Sequence, residues 1–202
     1  MMTQQIKTDN RSLDYKLQLR RHTLDQARLG ELRVLDLCAG EGAIWRALRG
    51  SLKLADYVPV DLAPRLPGTL VGDVTDDRFL AAFDLSRFNV VDIDTYGEPW
   101  KPWRYIYERL TRKTAVFLTH GAVSSPGGSN ISKFVLDRLG IPLDWKIPLK
   151  RELSLFAARY LLLAPSPTAR ITAGWKVCLQ NVTYYGLICL SGRKQDGRDH
   201  RD

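Results

Sequence analysis

The sequence predicts an α/β protein: a doubly wound, mostly parallel sheet with a C-terminal antiparallel hairpin. Three observations predict it. Short apolar runs alternate with helix-like segments through the first two thirds of the chain, the pattern of a parallel sheet covered on both faces. Aspartates stand at the ends of successive runs or just beyond them, at Asp36, Asp61, Asp73 and Asp94. The last third changes to two strand-like runs, Ile171–Leu179 and Val182–Leu190, around Gln180-Asn181, a hairpin spacing.

Taken in order, Tyr15–Leu29 reads as a helix, with Leu17, Leu24 and Leu29 set among Arg20, Arg21, Asp25 and Arg28 and Gly30 as its stop. Leu32–Leu37 is the first strand and feeds a glycine turn, then a helix over Ala43–Arg49. Tyr57–Val60 is the second strand and ends at Asp61; Thr69–Val71 is a short third, followed by Gly72-Asp73. Phe88–Ile93 is the fourth and ends at Asp94; Thr114–Thr119 is the fifth, followed by His120-Gly121. Helices are predicted at Asp76–Asp84, Trp103–Arg112, Ser129–Leu139 and Arg151–Leu163, the last broken by Pro165 and Pro167.

A chain of 202 residues is expected to form one domain. The expected division is a polar lead over 1–12, the domain over 13–192 and a charged tail over 193–202. No apolar run approaches the roughly 20 residues that cross a bilayer, and Met1–Arg11 lacks the apolar core of a secretory signal. A cytoplasmic location is expected. Cys38, Cys178 and Cys189 have no short paired spacing, so neither a disulfide scaffold nor a metal site is expected. The net charge of +8 suits a polyanionic partner, RNA or DNA. It also suits an ordinary basic surface. Candidates for phosphate contact are Arg20, Arg21, Lys101, Arg104, Arg109, Arg112, Lys113, Lys146, Lys150 and Arg151.

The run Val34-Leu35-Asp36-Leu37-Cys38-Ala39-Gly40-Glu41-Gly42 takes a strand through a carboxylate into a glycine turn and a helix, the way an α/β protein grips an adenosine-containing cofactor. Gly40 and Gly42 let the backbone approach the ligand. Asp61 can accept hydrogen bonds from ribose hydroxyls, Asp73 can reach an adenine amino group, and Asp36 can meet a cationic amino-acid end. Leu62 and Val74, beside Asp61 and Asp73, complete the expected cofactor set with Cys38, Ala39 and Asp94. A dinucleotide is disfavoured. Its third glycine would fall at Trp45, and a strand-end aspartate suits a cation better than a pyrophosphate. No phosphate-binding P-loop occurs.

This run resembles motif I of class I S-adenosylmethionine-dependent methyltransferases, D-x-G-x-G-x-G, with Cys38 in place of the first glycine. The resemblance implies a Rossmann-like methyltransferase fold and S-adenosylmethionine as cofactor. A second run, Val91-Asp92-Ile93-Asp94-Thr95-Tyr96-Gly97-Glu98-Pro99-Trp100, resembles the D-x-D-P-[FY]-G motif of tRNA guanine N2-dimethyltransferases and, more loosely, the [DNS]-P-P-[YFW] motif of other nucleic-acid amino-methyltransferases. Thr95 stands where that motif has proline.

An exocyclic amine is a poor nucleophile because its lone pair is delocalised into the ring. A carboxylate accepting its N–H bonds raises density on nitrogen and aims the lone pair. Asp94 is the candidate acceptor. Tyr96 is the candidate platform for a base swung out of its helix, with Gly97, Trp100 and Trp103 as further substrate contacts. His120 is a further candidate proton acceptor, and Ser124–Asn130 a candidate lid, or both belong to an ordinary connector.

The sequence therefore predicts a methyltransferase acting on a nucleobase amine. A protein or small-molecule acceptor is the alternative, and a binding module that keeps the fold without catalysis is a second one.

Overall fold

The computed structural model describes residues 12–95, 97–121, 131–142 and 150–192, with residues 150 and 151 as backbone only. The expected lead and tail, Tyr96 and the candidate lid lie outside the described residues.

Helix α1 covers Leu13–Ala27 and ends at Arg28 in the left-handed conformation. Strand β1 (Leu32–Leu37), helix α2 (Ala43–Leu48), strand β2 (Leu54–Asp61), the two-residue β3 (Leu70–Val71) and helix α3 (Asp77–Ala81) follow. A 3₁₀ turn over Leu85–Arg87 leads to β4 (Val90–Ile93), α4 (Trp100–Tyr107), β5 (Thr114–Gly121) and α5 (Lys133–Leu139). The chain closes with α6 (Lys150–Leu163), β6 (Ala169–Cys178) and β7 (Val182–Ser191).

The seven strands lie in the order β3-β2-β1-β4-β5-β7-β6. β1 through β5 pair with one another in parallel, and β7 runs antiparallel to both β5 and β6. The hairpin is therefore inserted with its second strand against β5. The order reverses between β1 and β4, and at such a switch point an open α/β sheet forms its ligand crevice, at the carboxyl ends of the strands.

Each face of the sheet carries a separate apolar core. Leu35, Leu37, Val91, Ile93, Val116 and Leu118 pack with Trp100, Trp103, Ile106 and Leu161 from α4 and α6. Val34, Val90, Ala115 and Phe117 pack with Leu24 and Ala27 of α1 and Trp45 and Leu48 of α2. Strand alternation makes this division: neighbouring residues point to opposite faces. α1 crosses β7 at Gly186, where an added Cβ would collide with the Thr23 hydroxyl.

Helix α4 begins at Trp100 rather than at the expected Trp103. Pro102 falls inside its first turn, where the missing N–H removes no helical hydrogen bond. β2 begins earlier than expected because Leu54, Asp56 and Tyr57 pair with β1. Among the described residues no helix is long and apolar enough to cross a membrane.

Candidate active site

The crevice is built on the turn after β1. Cys38, Gly40 and Gly42 all hold positive φ, at 66°, 55° and 64°. This conformation is nearly free for glycine and costs about 1–2 kcal/mol for another residue, so Cys38 is a strained substitute for the usual glycine. The Ala39 amide donates to Val60 O at 2.9 Å and the Gly40 amide to Asp61 Oδ2 at 2.8 Å. These bonds fasten the turn to the end of β2. At Gly42 an added Cβ would lie 2.6 Å from Leu66 Cδ1 and 3.3 Å from the Tyr57 hydroxyl. The loop after β2 thus folds back over the glycine turn.

Asp61 uses both oxygens locally: Oδ2 receives Gly40 and Oδ1 receives the Ala63 amide at 3.2 Å. A ribose would share these oxygens through their second lone pairs. Asp73 accepts from the Thr75 amide and hydroxyl at 2.8 and 2.7 Å, and those bonds hold its carboxyl below the usual range. Leu62 is exposed, whereas Val74 is buried.

Burial pushes the Cys38 thiol up to about 12, with Asp61, Asp94, Asp36 and Asp73 pushing in the same direction. All four carboxylates act on this thiol, and Asp61 is tied to the glycine turn directly, through the Gly40 amide. Asp36 is buried and receives the Tyr57 hydroxyl at 2.8 Å. It stands at the same level as Asp92 of the neighbouring strand. Burial first, and the Asp92 carboxylate second, hold the Asp36 carboxyl well above the usual range.

Helix α1 supplies residues that sequence reasoning assigned elsewhere. Arg20, expected at phosphates, is buried and donates from Nε to Asp92 Oδ2 at 2.8 Å and from Nη2 to Asp92 Oδ1 at 2.7 Å. The Trp45 indole N–H donates to Asp92 Oδ2 at 2.9 Å. One turn before Arg20, Lys16 Nζ meets Asp94 Oδ2 at 2.6 Å. Burial pushes Asp94 up, but the Lys16 ammonium and the Arg20 guanidinium outweigh it and leave the carboxyl below its ordinary value. The candidate acceptor of an amine N–H is thus already paired on one oxygen.

The expected aromatic platform is only partly placed. Trp103 is fully buried, stacks on Tyr107 with ring centroids 4.5 Å apart, and donates its indole N–H to Leu161 O. It belongs to the core between α4 and α6 rather than to the crevice. Trp100 is also fully buried, 5.0 Å from the His120 ring. Gly97 adopts φ 111° and its carbonyl accepts from the Gly121 amide at 2.8 Å, tying the loop after β4 to the end of β5. Arg104, another expected phosphate contact, is buried and clamps Ala164 O, Pro165 O and Glu108. Lys101, also expected there, lies 3.8 Å from Asp77. Among the described residues no group of three histidine, cysteine or acidic side chains is placed to hold a metal.

No protein-family model matches the sequence, and no curated protein matches it. Solved structures do match the fold. The plantazolicin methyltransferase BamL, in complex with a triazolic desmethylPZN analog and SAH, superposes with a TM-score of 0.55 at 8% identity over 90% of this chain and 85% of that one. The plantazolicin methyltransferase BpumL, with a monoazolic desmethylPZN analog and SAH, gives 0.53 at 11% identity over 89% and 86%. The sheet order, the inserted antiparallel strand and these likenesses together establish the fold of this chain as that of the Rossmann-like, S-adenosylmethionine-dependent methyltransferases.

Proposed function

We propose that this chain transfers a methyl group from S-adenosylmethionine to an exocyclic amine of a nucleobase in RNA or DNA. The observation that carries the cofactor reading is the glycine turn at the sheet's switch point, fastened to Asp61 by the Gly40 amide, with the charges of Asp36, Asp61, Asp73 and Asp94 all felt at Cys38. A sulfonium ligand with a cationic amino end complements that field, and a pyrophosphate does not. SAH, the demethylated cofactor, is held by the fold neighbours BamL and BpumL.

The residues fit the cofactor in kind. The glycine turn offers a backbone free of side chains at Gly40, whose added Cβ would meet nothing within 4 Å. Asp61 would take the ribose, Asp73 the adenine amine, and Asp36 the amino-acid end. Cys38, Ala39, Gly42, Leu62 and Val74 would border it. When bound, the cofactor supplies an electrophilic methyl group. The chain's own part is to aim the acceptor and draw off its proton. Lys16 holds Asp94 Oδ2, and the Thr119 hydroxyl also bears on the carboxylate. Asp94 would receive an amine N–H, and Tyr96, Gly97 and Trp100 would border the acceptor. Positioning of this kind supplies much of a displacement's acceleration.

The nucleic-acid reading is supported by the +8 charge. A peptide or small-molecule acceptor is the second reading. It is favoured by the burial of Arg20 and Arg104, which removes two cations from any phosphate surface. The neighbours BamL and BpumL hold desmethylPZN analogs, which points the same way.

The test is incubation of the chain with methyl-tritiated S-adenosylmethionine and separate RNA, DNA, protein and small-molecule fractions. Label in RNA or DNA supports the proposal, label in protein or small molecules supports the second reading, and label in none contradicts both.

A further inference from the structure

Beneath the loop after β4, on the sheet face opposite Asp94, lies a polar cluster that methyl-donor binding leaves without a role. His120, at the end of β5, is fully buried, and its Nε2 lies 3.1 Å from the hydroxyl of Ser154, a fully buried residue of α6. His120 Nδ1, Trp100 Nε1, Thr95 Oγ1 and Glu98 Oε1 are all buried with no hydrogen-bond partner among the described residues. The other oxygen of Glu98 receives the Ser132 amide at 3.1 Å. Buried polar atoms are almost always paired, and an orphan costs about 1–3 kcal/mol. Two of these orphans, on Trp100 and His120, sit in rings 5.0 Å apart, and the other two belong to the same loop after β4, so the region offers a polar guest several unmet partners.

We propose that this cluster is the methyl-acceptor subsite and that His120 Nδ1 receives the N–H of a neutral amine conjugated to an aromatic ring. The inference rests on the methyltransferase reading above, narrows its substrate, and gives the amine's proton to His120 in place of Asp94.

Ser154 holds the imidazole at Nε2. In the tautomer whose Nε2–H is donated to the serine hydroxyl, Nδ1 is a bare acceptor. The Trp100 indole N–H, whose ring lies 5.0 Å from the imidazole, is a donor for a ring nitrogen or carbonyl beside the amine. Thr95 serves as either. A donor beside an acceptor is the edge that an amino-substituted heterocycle presents.

The chemistry agrees. As the amine nitrogen's lone pair forms the new N–C bond, the C–S pair returns to sulfur and the nitrogen's surplus proton passes to Nδ1. Burial pushes the His120 imidazole down to about 4. Such a base takes protons from strongly acidic cations, such as a methylated ring-conjugated amine, and later returns them to water. It cannot strip an alkylammonium, which holds its proton to about pH 10. Alkylamines, lysine side chains included, are thereby disfavoured as acceptors.

The test uses the full chain with its histidines labelled by ¹⁵N, saturated with SAH, and adenosine, cytidine, guanosine and propylamine as probes. We expect one nucleoside, and not propylamine, to move the His120 Nδ1 resonance, with Nδ1 unprotonated at neutral pH. Asn mimics Nδ1 and Gln mimics Nε2, so His120→Asn should bind that nucleoside within about threefold of wild type. His120→Gln, which keeps the reach to Ser154, should bind it at least tenfold more weakly. A protonated Nδ1, no nucleoside response in the wild-type spectrum, or a His120→Gln variant equal to wild type overturns the proposal. Absence of SAH binding by wild type would instead overturn the methyltransferase reading. The nucleoside titration would then still report on the subsite.

Discussion

Arg20 and Asp92 form a two-pronged ion pair, with N···O distances of 2.8 and 2.7 Å, between helix α1 and the middle of the sheet. Both side chains are almost wholly shielded from water, at 2% and 0% exposure. The pair holds α1 across the strands and fixes Lys16, one turn away, against Asp94.

Breaking a buried pair from one side strands the other charge and costs about 3–5 kcal/mol. Arg20→Met should therefore lower the urea unfolding free energy by about that much. The double variant Arg20→Met/Asp92→Leu should regain a large part of it. Equal stabilities for the single and double variants would show that the carboxylate is not the cause.

Asp36 bears on stability with the opposite sign. Its folded-state carboxyl is raised, by burial first and by Asp92 second. Its contribution is therefore full below the ordinary carboxylate range and is lost as pH rises through the raised value. Asp36→Asn keeps an oxygen for the Tyr57 hydroxyl and removes the charge. It should unfold at a higher temperature than wild type at pH 8, lose that advantage near pH 4, and bind S-adenosylmethionine more weakly. A variant less stable than wild type at pH 8 would contradict the assignment.

The strand ends were legible in the sequence because each carboxylate follows an apolar run directly: Asp36, Asp61 and Asp94 stand within or just past β1, β2 and β4. The glycine turn was legible for the same reason. The role of α1 was not. Arg20 read as a candidate phosphate contact, and no pattern singled out Lys16 four residues before it. The partners of Lys16 and Arg20 lie 78 and 72 residues away in sequence. The available signal was the Asp92-Ile93-Asp94 alternation, which puts two carboxylates on one face of a central strand and demands cations. Trp100 and Trp103 read as further substrate contacts because they follow the Asp94–Gly97 run. Pro102 instead opens a helix whose tryptophans fill the core.

His120 adds an acid-sensitive slope. Its ordinary value of 6.5 applies to the unfolded chain, whereas burial holds it near 4 in the fold. Above pH 6.5 both states are neutral and its contribution is full; between these values only the unfolded chain gains the proton. Stability should fall across that window by about 3 kcal/mol in total. Below pH 4 the histidine adds no further loss. Urea unfolding of His120→Asn against wild type from pH 7 to pH 4 checks this: the variant should show the shallower slope.

Gly42→Ala should destabilise the chain by about 1–3 kcal/mol, because the position holds φ 64° and the new methyl meets Leu66. Adding Leu66→Ala should relieve the contact but not the backbone strain. In a double-mutant cycle read by thermal unfolding, the cost of Gly42→Ala should therefore be smaller in the Leu66→Ala background than in wild type, but not zero.

On the proposed function, the four acidic tips and the glycine turn hold one cationic adenosyl ligand. Calorimetric titration of the intact chain with S-adenosylmethionine should show saturable binding at one site per chain, weakened by about 1–3 kcal/mol in Asp61→Ala. Absence of saturable heat in the wild-type chain, or an Asp61→Ala affinity equal to wild type, would contradict it.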